Sequence, residues 1–509
     1  MPAPVTQPER IRPMPSDSTP HIAIIGGGFA GAVTALKLAR AAPRPLAITI
    51  VESRPELGRG IAYSTRNPAH LMNGPAKNFT LYPDQPEHLA YWLRNQAERD
   101  GWRPPAGVAY ADSFAPRHLY GDYVQAELEN ALAQAPHPIA FKHLAGRARD
   151  LDGDGAARWA VRLEDGRQLR ADYVVLATGL FPRTLHETGL ELDPELVRRG
   201  AVIDDLWSEP PPKALARDRD VLVIGSNLSA LDAMIHADSH GFRGEFHSVS
   251  RRGLLVAPRR DVQPWPSFLD PQALPATLRD LLRAVQAARR DIASAGEDWQ
   301  RLAGAVRPHL PALWTAASAD ERLRFIRHLR PYWELGLHRA APESNAWLQD
   351  ARRAGRFRHH AGRVLRLSSA AGGRVAVSWR ARGESRPQTL LVDRVFNTRG
   401  FEFDWTRIDD ALLRNLLGKG LAVPHETGFG IAADPATGEV AQRHGQRPGL
   451  YAVGHPLRGV SWESNAIGEQ IAGATATVTA LAEQLRSAAE TGFFPSAGTG
   501  LGRQAVRAA

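Results

Sequence analysis

Ile22-Ala23-Ile24-Ile25-Gly26-Gly27-Gly28-Phe29-Ala30-Gly31 decides the fold: an apolar strand runs straight into a G-x-G-x-x-G turn, and an amphipathic helical pattern follows. Each glycine has its own task. Gly26 permits the tight turn, Gly28 lets the backbone approach a pyrophosphate, and Gly31 lets helix and strand pack closely. The helix that opens at Phe29 then points its N-terminus at the phosphate charge. Ala47 to Val51 reads as the second strand, and Glu52 ends it roughly 20 residues past the last glycine, where an acid accepts the adenosine ribose hydroxyls.

A similar unit returns at Val221-Leu222-Val223-Ile224-Gly225-Ser226-Asn227-Leu228-Ser229-Ala230. Asn227 stands where the second glycine belongs and is expected to narrow the backbone approach; Ala230 takes the third place. The offset that leads from Gly26 to Glu52 leads from Gly225 to Arg251, so an acid has become a base. Ser250, Arg251 and Arg252 are suited to a ribose 2′-phosphate, because guanidinium makes bidentate, charge-assisted bonds to phosphate. That favours NADPH over NADH, the plain alternative being solvated arginines at a strand end.

Two such beginnings make the chain α/β, with two Rossmann-like dinucleotide-binding domains and a helical insertion. The expected organisation is a disordered tail over 1–20, a first domain over 21–209, a second over 213–395, a return to the first over 396–490, and a disordered tail over 491–509. Pro210-Pro211-Pro212 marks the linker. Within the second domain, residues 271–355 carry helical spacing, at Leu278, Leu281, Leu282 and Val285 and again at Leu323, Ile326 and Leu329; this segment is expected to cover the cleft as a lid. A last helix is expected from about Ser464 to Leu485.

The sequence of 509 residues contains no cysteine, which excludes disulfides, thiolate metal sites and the redox dithiol of flavin disulfide reductases. The formal charge of +9 comes almost wholly from arginine, with no basic run interleaved by aromatics, so nucleic-acid binding is not expected. No apolar stretch approaches the roughly 18 residues of a membrane span, and Met1 to Pro20 lacks the apolar core of a secretory signal. A cytoplasmic protein is the expectation. His70, His118, His338 and His455 are scattered without metal-ligand spacing, so no metal is expected.

Several further stretches are far more selective than glycine strings. They are Leu57-Gly58-Arg59-Gly60-Ile61-Ala62-Tyr63-Ser64, His70-Leu71-Met72-Asn73-Gly74-Pro75-Ala76, and Phe114-Ala115-Pro116-Arg117-His118-Leu119-Tyr120-Gly121-Asp122-Tyr123. To these add Ala177-Thr178-Gly179, Ser250 to Leu255, and Gly454-His455-Pro456-Leu457-Arg458-Gly459 followed by Trp462-Glu463. Over nearly the whole chain, both tails excepted, they resemble two-dinucleotide FAD/NAD(P)-binding flavoproteins, distantly similar to N-hydroxylating and Baeyer-Villiger monooxygenases. Two departures stand out: His455 occupies a position where many such proteins carry an acid, and Asn397-Thr398-Arg399-Gly400 looks like a degenerate second Ala-Thr-Gly junction.

The resemblance implies FAD in the first site, NAD(P)H as co-substrate, and oxygenation of a small nitrogen-rich anion, with urate to 5-hydroxyisourate as the leading substrate and aspartate-type N-hydroxylation as the alternative. It places Arg59, Thr178, Gly179 and Gly454 at the cofactor, and Asn73, His455 and Arg458 at the reaction, His455 as the group for proton traffic. Arg117, Arg339, Arg399 and Arg458 are the cations suited to an anionic substrate. The rival readings are a flavin NAD(P)H:acceptor reductase and a non-enzymatic nucleotide-binding protein. Oligomeric state is left open.

Overall fold

A computed structural model describes residues 19–491 except 100, 155–157, 186–188 and 206–214. Apart from edge residues, the expectations for both tails and for the proline linker fall outside that set.

The first unit runs β1 (His21–Ile25), α1 (Phe29–Ala41), β2 (Leu46–Glu52), α2 (Arg117–Ala133), β3 (Ile139–Ala145) and β4 (Tyr173–Leu176). The second contains β5 (Val202–Ile203), β6 (Asp220–Ile224), α3 (Leu228–Ser239) and β7 (Glu245–Ser250). Its insertion includes α4 (Leu278–Ser294), α5 (Leu310–Ala316), α6 (Ala319–His328) and α7 (Arg330–Leu337), and β8 (Phe357–Ser369), β9 (Val375–Ala381), β10 (Gln388–Val392) and β11 (Arg394–Asn397) follow. The chain returns with β12 (Leu450–Ala452) and α8 (Ile467–Thr491).

A 5-stranded parallel sheet has the order β12-β4-β1-β2-β3. Its inner strands are near-continuous apolar runs because both faces are covered, whereas the edge strand β3 carries Lys142 and His143. Along β1, Ile22 and Ile24 pack into the cluster shared with α1, α2 and α8, while Ala23 and Ile25 pack against Leu151, Trp159 and Val161 of an antiparallel meander on the other face. The second sheet follows β5-β11-β6-β7-β8-β9-β10, parallel up to β8 and antiparallel beyond it. It takes in Val202–Ile203, which lies before the expected linker, so the crossing between the units comes earlier in the chain than the proline run.

In both sheets the glycine turn leaves the carboxyl end of a central strand, where open α/β sheets bind ligands. The helices of the insertion end as their sequence dictates: Thr277 accepts the Asp280 N–H ahead of α4, and Ser318 and Glu321 form a capping box on α6. The last helix starts at Ile467 rather than near Ser464, because Trp462 to Asn465 form a turn. No helix among the described residues is long and apolar enough to cross a membrane.

Candidate cofactor cleft and active site

The first turn is closed by the Gly26 N–H donating to Val51 O at 2.9 Å. Gly26 has φ +105°, and a β-carbon there would stand 2.2 Å from Ala177 O, so the turn lies against the Ala177-Thr178-Gly179 junction. Gly28 is different. A β-carbon on it would meet only Gly60, at 3.3 Å from its Cα, which leaves that backbone open to a ligand. Glu52 is held at the end of β2 by the N–H groups of Gly27 and Arg54, each 2.9 Å from a carboxylate oxygen.

Two side-chain oxygens, Thr178 Oγ1 beside this turn and Asn465 Oδ1 of a cleft-lining residue, are buried with no hydrogen-bond partner among the described residues. Buried polar atoms are rarely left so, and an unmet acceptor beside a glycine turn is the signature of a ligand contact. The residues therefore fit a bound dinucleotide.

A cleft of about 1610 Å³ runs between the two units. Ordinary ligand pockets span roughly 300–1,000 Å³, so this one has room for two large molecules. From the first unit, Gly28, Phe29, Arg59, Asn73 and Gly179 line it; from the second, Gly225, Asn227, Ser250, Arg251 and Arg252; from the return segment, His455 and Arg458. Gly26, Gly31, Glu52, Thr178 and Gly454 are not among the lining residues. Phe29 is buried, its ring edge-on to Tyr63 at 5.8 Å.

At the second turn, Asn227 is exposed in the cleft with φ −99°, an ordinary value, and its side chain accepts the Leu228 N–H at 2.9 Å as the cap of α3. It competes for the helix N-terminus with its own oxygen; it does not strain the turn. Ser250 Oγ pairs with His359 Nε2 at 3.2 Å. Arg252 lies over the Tyr332 ring at 5.4 Å and so is engaged with the insertion, whereas Arg251 has no acidic partner among the described residues. Burial, then Arg252, Arg330, Arg183 and Arg363, pull the Arg251 guanidinium down. Arg399 falls to about 10 for the same reason, burial first and then Arg183, Arg251 and Arg363. This wall is a concentration of positive charge.

The four arginines named for an anionic substrate part company. Arg117 is tied to Asp232 at 2.7 Å, and Arg458 is bound to Glu334 at 3.3 Å and stacked over Trp462 at 4.7 Å. Arg339 bonds Gln300 at 2.8 Å and lies outside the cleft lining. Of these four, Arg399 alone lines the cleft with no carboxylate in ion-pair distance among the described residues. Arg59 is likewise committed, to Glu56 at 2.9 Å, to Asp122 and to His118 O at 3.1 Å, so it braces its loop.

Burial, and then Arg458, push His455 down to about 3, so its imidazole is neutral throughout the ordinary pH range. His338, on the insertion side of the same cleft, is pushed down to about 4 by burial, Arg458, Arg330 and Arg307, against the opposing pull of Glu334. Glu334, His338 and Arg259 belong to the lining although sequence reasoning did not single them out for it. Glu463, also in the lining, lies within the matched stretch from Gly454 to Asn465 that the sequence places near the cofactor ring.

The insertion is docked on this wall. Trp314 Nε1–H donates to Gly459 O at 2.8 Å and its ring meets Trp462 at 4.8 Å; Trp333 Nε1–H donates to Glu463 Oε1 at 2.8 Å. Away from the cleft, Asp220, Glu245 and His247 bring potential ligand atoms within 4.8 Å of one another, but both carboxylates are already paired, with Arg374 and Arg358.

Residues 23–181 match the sequence model of a family described as FAD-NAD(P)-binding. No curated protein matches the chain significantly. Among solved structures, L-lysine 6-monooxygenase from Pseudomonas syringae is 17% identical, with TM-score 0.58 over 92% of this chain and 99% of that one. The ornithine N-hydroxylase of Kutzneria sp. 744, solved with reduced FAD, NADP+ and L-ornithine, is 15% identical, with TM-score 0.56 over 92% and 100%. The FAD-bound cadaverine monooxygenase of Erwinia amylovora is 12% identical, with TM-score 0.57 over 90% and 93%. The chain thus has the two-dinucleotide flavoprotein fold of these enzymes, with an FAD-NAD(P)-binding domain at residues 23–181.

Proposed function

We propose that the chain is an FAD-dependent monooxygenase that uses NADPH and O2 to N-hydroxylate the amine of a small metabolite. The observation that carries this reading is the cleft shared by both glycine turns and roofed by the insertion, because a hydride donor, its acceptor and a third molecule must meet there away from water. Amines are preferred to urate because the fold neighbours named above act on lysine, ornithine and cadaverine. Absence of cysteine argues against a thiol reductase.

When bound, FAD would supply the hydride acceptor and the oxygen chemistry. The chain's residues do the rest. Gly28 and the N-terminus of α1 would cradle the pyrophosphate, Glu52 the ribose, and Thr178 and Asn465 would gain the partners they lack. Arg251, with Arg399, meets the phosphates of NADPH. His455 and His338, both neutral, offer the cleft imidazole nitrogens as hydrogen-bond partners for a substrate amine, but, pushed down to about 3 and about 4, they are too weakly basic to take the proton of an ammonium. The docked insertion excludes water.

The test follows NADPH oxidation, oxygen uptake, hydroxylamine and peroxide together with a panel of amines. Amine-dependent hydroxylamine formation and a preference for NADPH over NADH are expected, with Arg251→Ala raising the NADPH KM about tenfold and the NADH KM little. Flavin reduction that no amine couples to hydroxylamine would sink the reading.

A further inference from the structure

Several arginines of the cleft wall are neutralised, as the pairs of Arg59, Arg458 and Arg117 show, and Arg307 Nη2 donates to both carboxylate oxygens of Glu469, at 2.7 and 2.8 Å. Arg259 is the exception on the side of the first unit. It lines the cleft, is half-buried, and has no carboxylate within ion-pair distance among the described residues. Asp261, the acid that acts on it, lies in an ion pair with Lys77 at 3.3 Å.

Its position is built. The Arg259 N–H donates to Ala340 O at 2.8 Å, and the Ala340 N–H donates to Ala257 O at 2.8 Å, which pins the residue to the segment that leaves the insertion. From there the side chain crosses to the first unit. A β-carbon on Gly74 would stand 3.6 Å from Arg259 Nη1 and 2.9 Å from Phe79 Cζ, so the loop that carries Asn73 and Asn78 makes room for the guanidinium. Both asparagines line the cleft beside it. Burial, and then Arg307, lower the affinity of Arg259 for its proton, which marks a cation short of a counter-charge. The charges that act most on Arg259 are Arg307 and Asp261, whereas those on Arg251 are Arg252, Arg330, Arg183 and Arg363, so the two guanidiniums have different charged neighbours.

Resting on the amine monooxygenase reading, we propose that Arg259 receives the carboxylate of an amino-acid substrate, so that the chain hydroxylates amines that carry a carboxylate in preference to plain diamines. The fold does not decide this, since its neighbours include a lysine and a cadaverine enzyme. The guanidinium does: a planar fork matches a carboxylate with two charge-assisted bonds, and a diamine would set two further positive charges beside an uncompensated cation. Asn73 and Asn78 offer amide groups to the same carboxylate.

The experiment uses the flavin-loaded protein, wild type, Arg259→Met and Arg259→Lys, with L-lysine and L-ornithine against cadaverine and putrescine. Wild type is expected to favour the amino acids by about tenfold or more in kcat/KM, and Arg259→Met to remove that advantage through KM with kcat nearly kept and the diamines little affected. Arg259→Lys should restore part of it. Equal or better turnover of the diamines by wild type overturns the proposal, as does an equal loss for both classes in Arg259→Met. If no amine is hydroxylated at all, the amine reading fails by itself, and Arg259 is judged on glutarate. A saturable change in the flavin absorption spectrum with glutarate, absent in Arg259→Met, supports the carboxylate site, and no difference between the two proteins overturns it.

Discussion

Gly31 and Gly28 belong to the same turn yet serve different ends, one for the fold and one for the ligand. A β-carbon on Gly31 would lie 1.9 Å from Gly26 O, so any side chain there displaces the turn itself. Gly28 has an extended backbone at φ −68° and ψ −164°, which valine accepts, and only Gly60 nearby. Gly28→Val is therefore expected to purify folded, with a circular dichroism spectrum like that of wild type, and without flavin, because the branched side chain fills the place of the pyrophosphate. A yellow Gly28→Val with full flavin content would remove the cofactor from this turn. The glycine turn and Glu52 were legible in the sequence because their spacing is local and repeats a fixed chemistry. Asn227 was legible only by place: its identity suggested an obstructed turn, and the structure shows an ordinary backbone and a helix cap. Arg259, Glu334 and His338 were not legible, since each reaches the cleft from a segment whose local pattern says only helix or loop.

At the scale of elements, the helical spacing of 271–355 announced the insertion but not what it docks on, because an amphipathic face does not name its partner. The partner is the return segment. Trp314, Phe429 and Trp462 share one buried cluster, against which Phe325 and Trp333 also pack, so these tryptophans do more than fill the insertion's own core. Trp314→Phe keeps most of that apolar contact and removes the hydrogen bond to Gly459 O, leaving a buried carbonyl unmet at a cost of about 1–3 kcal/mol. Since Gly459 directly follows Arg458, the loosened wall should admit water to the cleft. The expected result is more hydrogen peroxide per NADPH in Trp314→Phe, with flavin content unchanged, measured at a temperature where the variant stays folded. An unchanged ratio would reduce the insertion to scaffolding.

Across the whole molecule, the two units meet through buried polar groups as well as through the cleft. Arg117 on α2 pairs with Asp232 on α3 at 2.7 Å, and His70 Nε2 lies 3.0 Å from Asp232 O, with Thr65 Oγ1 at 2.7 Å from its other nitrogen. Burial first, then Arg117 and His240, push His70 down to about 4; burial, then His240 and His70, do the same to His236, whose ring is 5.5 Å away. Both imidazoles are therefore neutral in the folded protein where an unfolded chain, with histidines near 6.5, already binds protons. Between pH 6.5 and 4 the unfolded state holds more protons, so stability falls as pH falls, by up to about 1.4 kcal/mol per pH unit for each histidine, and is level above pH 7 as far as these groups decide it. Urea unfolding of the flavin-loaded protein at pH 7.0 and 5.0 should show that loss. His70→Gln keeps a polar side chain that does not titrate, so its stability should fall less between the two pH values than that of wild type, even if it starts lower at pH 7.0. Parallel losses in the two proteins would mean that the junction opens to water before it unfolds, and that the docking of the two units does not depend on a neutral His70.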